Sequence, residues 1–320
     1  MTPTRDRDAA PPPRLPLRIG TRGSPLARWQ ADWVADRLRA AHPGLEVVLV
    51  EIKTKGDRDR NSPLAAIGGL GLFTKEIQRA LVESAVEVAV HSLKDLPTEG
   101  PAGLILGAVP EREDVADALI APTYRTLGAM PEGATIGTGS LRRRAQLLHL
   151  RPDLQIRDLR GNVETRLNRA LQGDLDAVIL AAAGLRRLGL DGHVTERLGP
   201  PRFLPAVGQA ALGIECRADD RATRALLDAL NDPETHRAVR AERRALAELE
   251  GGCMIPMGAW GREVGDRLVL DAAVFDPEGR ECLSASLDGP RDDPEDLGRR
   301  VAESLRGQGA ERLLQRLHRS

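Results

Sequence analysis

The sequences IGTRGS (residues 19–24) and IGTGS (residues 136–140) open two parts of the chain in the same way. In each, an apolar stretch of strand type runs through Gly and Thr to a Ser, and a helical stretch follows. A match this short can arise by chance. If it is real, it indicates two similar lobes that face each other across a cleft.

Short apolar stretches alternate with amphipathic helical ones as far as residue 181, which is typical of an α/β fold with a largely parallel sheet. We predict strands at 17–20, 45–52, 86–90, 105–109, 134–137, 154–159 and 177–181, and helices at 25–41, 74–84, 141–150 and 163–171. The last third differs and predicts a smaller α+β domain. Its expected elements are helices at 219–230, 234–249 and 294–318, and antiparallel strands at 269–275 and 282–287 around a turn at 276–279.

The composition is that of an ordinary globular protein of 320 residues, with 41% hydrophobic and 29% charged residues. A net charge of −1 argues against a globally basic nucleic-acid binder. Aromatic residues make up only 2% of the chain, so there is little on which bases could stack. Four of the 46 basic residues are lysines and the rest are arginines, a bias that makes each remaining lysine informative.

The three cysteines, Cys216, Cys253 and Cys282, are widely spaced and form no metal-binding pattern. We therefore expect a reducing, cytoplasmic location and no metal. Residues 1–14 read as a disordered tail, and residues 1–16 lack the apolar stretch of a signal peptide. No apolar run is long enough to cross a membrane. We expect a monomer that binds neither membranes nor nucleic acid, although no sequence feature tests the oligomeric state.

Three predicted helices begin at turns that carry arginine. Helix N-termini attract anions, and guanidinium groups match carboxylates. Ordinary helix caps with solvated arginines would give the same pattern. If the three turns face one cleft, they form a site for a polyanion, which could be a phosphate, a carboxylate or a nucleic acid. The arginines are Arg22 at the first turn, Arg142 and Arg143 at the second, and Arg160 and Arg166 at the third.

Two further segments contain candidate reactive groups. Lys94 and Asp95 follow the predicted strand 86–90, and a carboxylate at the end of a strand lies where α/β folds place their sites. A surface Lys–Asp pair is the alternative. Cys253, in EGGCMIP (residues 250–256), follows two glycines that can present its sulfur to a cleft as a nucleophile or covalent tether. A core position is equally open for Cys253, and core positions are expected for Cys216 and Cys282.

Together, several of these segments resemble the porphobilinogen deaminases. The resemblance spans residues 17–260 in family order and is weaker beyond that point. The most specific motifs are HSLKD (91–95), GSLRR (139–143), LRGN (159–162) with the Thr-Arg at 165–166, and EGGC (250–253).

The resemblance implies three domains, of which two are lobes related to type II periplasmic binding proteins. We expect domain 1 at 15–112 plus 207–230, domain 2 at 113–206, and domain 3 at 231–320, with the cysteine loop in domain 3. The implied reaction condenses four porphobilinogen molecules stepwise, releases ammonia and yields linear hydroxymethylbilane. The implied cofactor is one dipyrromethane per chain, attached to Cys253 by a thioether and retained as a primer.

The resemblance also implies roles for individual residues. Asp95 matches the family's catalytic carboxylate. Carboxylates of the cofactor are expected to meet Lys94, Thr138, Ser140, Arg142, Arg143, Asn162, Arg166 and Arg187. The substrate is expected to meet Arg22, Ser24, Ser92, Arg160, Arg166 and Gln209. A cleft rich in fixed cations can hold the many carboxylates of such a chain although the protein's net charge is near zero.

Two other functions remain open on the sequence alone. A non-catalytic anion-binding protein would use the same kind of two-lobed cleft, but it would need neither the GGC motif nor a carboxylate beside the arginines. A nucleic-acid protein could use the arginines at 142–144, against which the net charge and the lack of aromatic residues argue.

In PLAAIGGLGLF (residues 63–73), Ala66 and Leu70 stand where many members of the family carry lysines, in a segment that the resemblance implies is a lid. We predict that activity needs no positive charge at either position. Turnover of the Ala66→Lys, Leu70→Lys double variant, measured beside the unmodified protein, should therefore rise by less than about tenfold, a factor worth ~1.4 kcal/mol of barrier. A larger increase would contradict the prediction.

Overall fold

The computed structural model describes residues 16–54, 74–249 and 255–317, and the strands in these ranges form three sheets. Within the described residues, two sheets have five strands each and the third has three. The predicted lid positions Ala66 and Leu70, the predicted tail 1–14 and the predicted cofactor residue Cys253 lie outside the described residues.

The first sheet has the strand order β2-β1-β3-β10-β4 and forms the first lobe with three helices. A 3₁₀ turn at Leu93–Asp95 follows the third strand directly. The elements are β1 (Leu17–Thr21), α1 (Pro25–Ala41), β2 (Val47–Glu51), α2 (Lys75–Val82), β3 (Val88–Ser92), β4 (Leu104–Ala108), β10 (Leu212–Arg217) and α6 (Arg221–Leu227).

The second sheet has the order β7-β6-β8-β5-β9 and forms the second lobe. The elements are β5 (Asp117–Ile120), β6 (Thr135–Gly137), α3 (Leu141–Leu150), β7 (Gln155–Arg157), α4 (Val163–Leu171), β8 (Ala177–Ala181), α5 (Ala182–Arg187) and β9 (Glu196–Leu198).

The two lobes share one topology. In each, the first strand of the βαβ unit lies between the second and the third, and the fourth place in the sheet is taken by an antiparallel strand, β10 or β5. The prediction of two similar lobes is confirmed. The prediction of largely parallel sheets is also confirmed, with one strand in each sheet, β10 or β5, running against the other four.

The third sheet is antiparallel, in the order β11-β12-β13, and three helices cover it. Its buried core is aliphatic, with Leu268, Leu270, Leu297, Val301 and Leu305 each 0% exposed. The predicted α+β architecture of the last third is confirmed, with one additional strand, β11. The helix predicted at 219–230 instead lies in the first lobe as α6, where Leu227 and Leu230 join the core of that lobe. The elements are α7 (Pro233–Glu248), β11 (Met257–Val264), β12 (Arg267–Phe275), β13 (Cys282–Pro290), α8 (Pro294–Gly307) and α9 (Ala310–Leu317).

The C-terminal domain packs on both lobes and on the two segments that connect them, residues 109–116 and 199–211, here called the crossings. From α7, Arg243 donates to the carbonyl oxygens of Leu96 and Pro97, just after the 3₁₀ turn of lobe 1. The turn of the β12–β13 hairpin meets α3 of lobe 2, where His149 Nδ1 lies 2.8 Å from the Gly279 oxygen. The limits predicted for the three domains stay a prediction.

A buried carboxylate joins that domain to both crossings. Glu242, 0% exposed on α7, accepts from Arg112 Nη1 at 2.6 Å and from the Gly208 amide at 2.7 Å. It also accepts from the amide of Gly261 on β11 at 2.8 Å. Because an isolated buried charge is costly, these three contacts fix the crossings against the C-terminal domain.

Among the helices at 16–54, 74–249 and 255–317, none combines the length and the apolarity needed to cross a bilayer.

Candidate active site

Three capped helix N-termini bring the predicted turns to the edges of the sheets. The Ser24 hydroxyl accepts from the Ala27 amide at 3.3 Å, and the Ser140 hydroxyl accepts from the Arg143 amide at 3.4 Å. Asn162 Oδ1 accepts from the Thr165 amide at 2.8 Å. Such caps form because the first turn of a helix has amides with no partner inside the helix. The turns follow β1, β6 and β7, which places them at the carboxyl ends of parallel strands.

The turn after β1 and the end of β3 line one pocket in lobe 1. Arg22, Ser24, Ser92 and Asp95 all lie along this pocket. Behind them, the buried Gln30 exchanges hydrogen bonds with the Ser92 hydroxyl at 2.9 and 3.2 Å. Asp95 itself is exposed, so its carboxylate is open to the cleft. The structure thus brings four of the predicted site residues together.

Arg142 and Arg143 lie on a carboxylate that the sequence analysis did not find. Arg143 Nε and Nη2 are 2.9 and 2.7 Å from Asp117 Oδ1, and Arg142 Nη1 is 2.7 Å from Asp117 Oδ2. Asp117 is 0% exposed, and the two arginines are 4% and 6% exposed. The alternative of solvated arginines is wrong here. The one available signal for Asp117 was a charged residue in an apolar strand of lobe 2.

Gln209 connects this group to lobe 1. Its Nε2 donates to Asp117 Oδ1 at 3.0 Å and to the Val115 carbonyl oxygen at 2.8 Å. Lys94 Nζ donates to Gln209 Oε1 at 3.4 Å. Gln209 is 0% exposed, so the structure places this predicted substrate contact inside the protein, between the lobes.

The turn after β7 places further cations opposite Asp95. Arg166 Nε donates to the Gly161 carbonyl oxygen at 2.8 Å, which holds its guanidinium beside the turn. Burial, and then the charge of Arg143, lower the pKa of Arg166, while the Asp95 carboxylate raises it. Arg160 is partly exposed and lies 3.3 Å from Asp158. Arg166 of lobe 2 therefore shares the electrostatic environment of both Arg143 and Asp95.

Arg187 and Thr138 make contacts within the protein. Arg187 Nη2 donates to the Ala210 carbonyl oxygen at 2.6 Å, and its guanidinium lies over the ring of Trp29 on α1, 5.9 Å from the ring centre. Arg187, on α5, thus bridges the lobes, and burial lowers its pKa to about 10. The Thr138 hydroxyl accepts from the Ser140 amide at 3.2 Å and so supports that turn.

Positive charge exceeds negative charge at the centre of the cleft. Burial, followed by repulsion from Arg143, lowers the pKa of Lys94 to about 8. Burial alone would raise the pKa of Asp117, but the charges of Arg142 and Arg143 outweigh it and lower that pKa to about 2. The single charge of Asp117 faces two arginines and a lysine. Such an excess favours an anionic ligand.

A buried hydrogen-bond donor without an acceptor also favours an anionic ligand. Arg142 Nε is buried and has no hydrogen-bond acceptor within the described residues. A buried donor without a partner is costly, and an anion oxygen is the partner that a guanidinium prefers. The donor set therefore fits a group that carries several carboxylates, as a dipyrromethane does.

The cysteines differ in position. Cys216 is buried on β10, where burial raises the pKa of its thiol to about 11, and Cys282 is half-buried. The described residues on either side of the predicted cofactor cysteine are Leu249, buried in the core of the C-terminal domain, and Ile255, which packs against that core. Within the residues that the structure describes, no group of His, Cys, Asp and Glu side chains could hold a metal ion.

Two α/β lobes thus bring cations and one exposed carboxylate to a common cleft, an arrangement that suits a small polyanion. The sequence comparisons are specific. The family model for the porphobilinogen deaminase dipyrromethane cofactor-binding domain matches residues 17–225, and the model for the C-terminal domain of porphobilinogen deaminase matches residues 236–307. The chain belongs to the porphobilinogen deaminase family, and it is a transferase, a hydroxymethylbilane synthase with a dipyrromethane cofactor.

Individual relatives agree over nearly the whole chain. The porphobilinogen deaminase of Geobacter sulfurreducens is 51% identical over 298 residues, which cover 93% of each chain. That of Syntrophotalea carbinolica is 49% identical over 93% of this chain and 95% of its own. Among solved structures, a methionine-binding lipoprotein of Bacillus subtilis covers 68% of this chain and 90% of its own, at 14% identity and a TM-score of 0.41.

We predict that the Lys94 side chain loses its proton near pH 8 when the cofactor is absent, because burial and Arg143 lower its pKa to about 8. Below that pH Lys94 is an ammonium that attracts carboxylates, and above it this attraction is lost. The chain has only four lysines, so ¹⁵N-lysine NMR can follow each one, with Lys94→Arg used to assign the signal. In the cofactor-carrying protein nearby carboxylates should raise the pKa above the value in Cys253→Ser. Titration of Lys94 near the ordinary lysine value of about 10.4 in Cys253→Ser would contradict the prediction.

Proposed function

We propose that the cleft between the two lobes is the active site and that Asp95 is its catalytic carboxylate. The observation that supports this most is the position of Asp95: it is exposed on lobe 1, lines the pocket with Arg22, and lies in the field of Arg166 from lobe 2. An exposed carboxylate among fixed cations suits stabilisation of a positive charge that forms and disappears during a reaction.

We assign the cofactor's carboxylates to the cations at the centre of the cleft and to the capped turns beside them. Arginine stays protonated and presents a fixed fork of donors, which suits permanent retention of a carboxylate. The residues are Lys94, Arg142, Arg143, Arg166 and Arg187, with Thr138, Ser140 and Asn162 at the turns. Of these, Arg187 and Thr138 already make contacts within the protein, so their contribution is to orient the lobes and the turn.

The attachment point in this proposal is Cys253, through a thioether. Leu249 and Ile255 anchor the two ends of its segment in the C-terminal domain, which in turn contacts both lobes and the crossings. When bound, the cofactor supplies the nucleophilic carbon to which substrate is joined, and the protein supplies orientation and electrostatics.

The substrate, porphobilinogen, is assigned to the lobe 1 pocket. Arg22 and Ser24, at the end of β1, offer a guanidinium and a helix N-terminus to its carboxylates, and the Ser92 hydroxyl lies along the same pocket. From lobe 2, Arg166 lies in the field of Asp95, and Arg160 lies near Arg166. Gln209 contributes indirectly, since its amide is engaged within the protein.

The Asp95 carboxylate oxygens would stabilise the positive charge that develops on the substrate pyrrole while the C–N bond breaks and ammonia leaves. No arginine can accept a proton in this setting, so proton transfer falls to Asp95, to Lys94 or to water. The arginines hold the product chain in place as its carboxylates accumulate. We further propose that the protein acts as a cytoplasmic monomer that binds neither nucleic acid nor membranes. Its net charge of −1 argues against a nucleic-acid binder.

Replacement of Cys253 tests the attachment. The intact mass of freshly purified protein should exceed the sequence mass by about two pyrrole units, because the cofactor is made from two substrate units. We expect Cys253→Ser to have the bare sequence mass and no activity, since the sulfur that forms the thioether is gone. The control is Cys282→Ser, which should keep the added mass. Normal activity of Cys253→Ser would refute the assignment.

Replacement of Asp95 tests the catalytic role. Asp95→Asn should keep the added mass of the cofactor but lower kcat by at least about a hundredfold, the usual contribution of a positioned acid or base. Asp36→Asn is a matched control, because Asp36 is an exposed carboxylate on α1 that pairs with Arg39 of the same helix. A kcat for Asp95→Asn that equals the control's would remove Asp95 from the mechanism.

A further inference from the structure

Two buried side chains occupy the place where lobe 1, lobe 2 and their crossings meet. Gln209 and Asp117 are both 0% exposed. Gln209 Nε2 donates to Asp117 Oδ1 at 3.0 Å, and Gln209 Oε1 accepts from Lys94 Nζ at 3.4 Å. These two hydrogen bonds link Lys94, Gln209 and Asp117 into a continuous polar connection from one lobe to the other.

At the lobe 2 end, this connection continues to the arginine pair. Asp117 contacts Arg142 and Arg143 at 2.7 Å each, and Arg143 Nη1 also donates to the Ile179 carbonyl oxygen at 3.1 Å. The orientation of both guanidinium groups therefore depends on where Asp117 lies. Because Asp117 is on β5 and hydrogen-bonded on both sides of that strand, its own position is fixed by the sheet.

At Gln209, the same connection reaches the C-terminal domain. Arg112 Nε donates to the Gln209 carbonyl oxygen at 2.8 Å, and the guanidinium of Arg112 pairs with Glu242 on α7. The next residue, Ala210, has a left-handed φ of 72°, a strained conformation for a residue other than glycine, and its carbonyl oxygen accepts from Arg187. The backbone at Gln209 is therefore held from several directions.

We infer that Asp117 and Gln209 are positioning residues that set the spacing between the ammonium of Lys94 and the guanidinium groups of Arg142 and Arg143. That spacing decides whether cations from both lobes reach neighbouring carboxylates of the bound pyrrole chain. The inference rests on the proposed function, in which these three cations hold the cofactor.

A glutamine is suited to this place because its amide both donates and accepts. The donor end satisfies an ionised carboxylate and the acceptor end satisfies an ammonium group. Glutamate at 209 would place an acceptor against Asp117 Oδ1, and leucine would satisfy neither partner. The charged groups that face Lys94 are Asp95 beside it, Asp117 on β5, and Arg142 and Arg143 on α3.

The test exchanges the carboxylate and the amide. Asp117→Asn and Gln209→Glu each break the pairing, and the double variant restores one carboxylate facing one amide with the net charge unchanged. Intact mass gives the fraction of protein that carries the cofactor. Each single variant should lose at least about tenfold in that fraction or in kcat/KM. If the two residues acted independently, the loss in the double variant would equal the product of the two single losses. Because they are in direct contact, the observed loss should be smaller than that product by at least about fivefold.

The titration of Lys94 supplies a readout that a loss of stability alone would not move. Asp117→Asn removes a negative charge near Lys94 and should lower its pKa, whereas Gln209→Glu adds one and should raise it. ¹⁵N-lysine NMR of the variants measures both shifts. Two pKa shifts of the same sign would overturn the inference. A loss in the double variant that equals the product of the two single losses would also overturn it.

A matched control and a separate variant distinguish failure of the positioning role from failure of the proposed cofactor site. Asp176→Asn makes the same substitution on the same sheet, but at the opposite strand ends, where Asp176 accepts from Thr135 at 2.7 and 2.8 Å. It should leave cofactor loading and Lys94 unchanged. Asp117→Asn behaving like this control would refute the inference. Full cofactor loading in Arg143→Met would instead refute the proposed site. Loss of loading in Arg143→Met, with full loading and unchanged kcat/KM in both Asp117→Asn and Gln209→Glu, would refute the positioning role alone.

Discussion

The main constraint on this structure is that several cations lie close together in a partly buried cleft. Like charges repel strongly where water is scarce, and each buried charge loses hydration. The lowered pKa values of Lys94 and Arg166 record that cost. Asp117 offsets part of it on the protein side. In the proposed site, the carboxylates of the pyrrole chain would offset more of that cost when they bind.

The fold supplies that arrangement through its two similar lobes. Parallel strands end at one edge of each sheet, so capped turns such as those at Ser24 and Ser140 are delivered to the cleft from opposite sides. The crossings between the lobes then pass between them and are fixed to the C-terminal domain through Arg112 and Glu242. That domain also contacts each lobe directly. Leu249 and Ile255, which flank the segment of the proposed attachment point Cys253, lie in and against its core.

Local signals in the sequence predict the local parts of the site. The three arginine-carrying turns at helix starts were predicted from neighbouring residues alone, and Asp95 was predicted at a strand end from the apolar run before it. Parts that depend on distant contacts were missed. The role of Asp117 depends on its contacts with Arg142, Arg143 and Gln209. Strand β10 pairs in the first sheet although the whole second sheet separates it in sequence from β4. Gln209 was predicted to face substrate, but its burial depends on three separate segments meeting. No short-range pattern encodes such encounters.

The most direct test of the account is a crystal structure of the protein purified with its cofactor. The account predicts that the carboxylates of the dipyrromethane lie within hydrogen-bond distance of Lys94 from one lobe and of Arg143 and Arg166 from the other, with the Asp95 carboxylate beside the terminal pyrrole. Carboxylates that point to solvent, or that contact only one lobe while Arg143 and Arg166 bind protein groups alone, would contradict it.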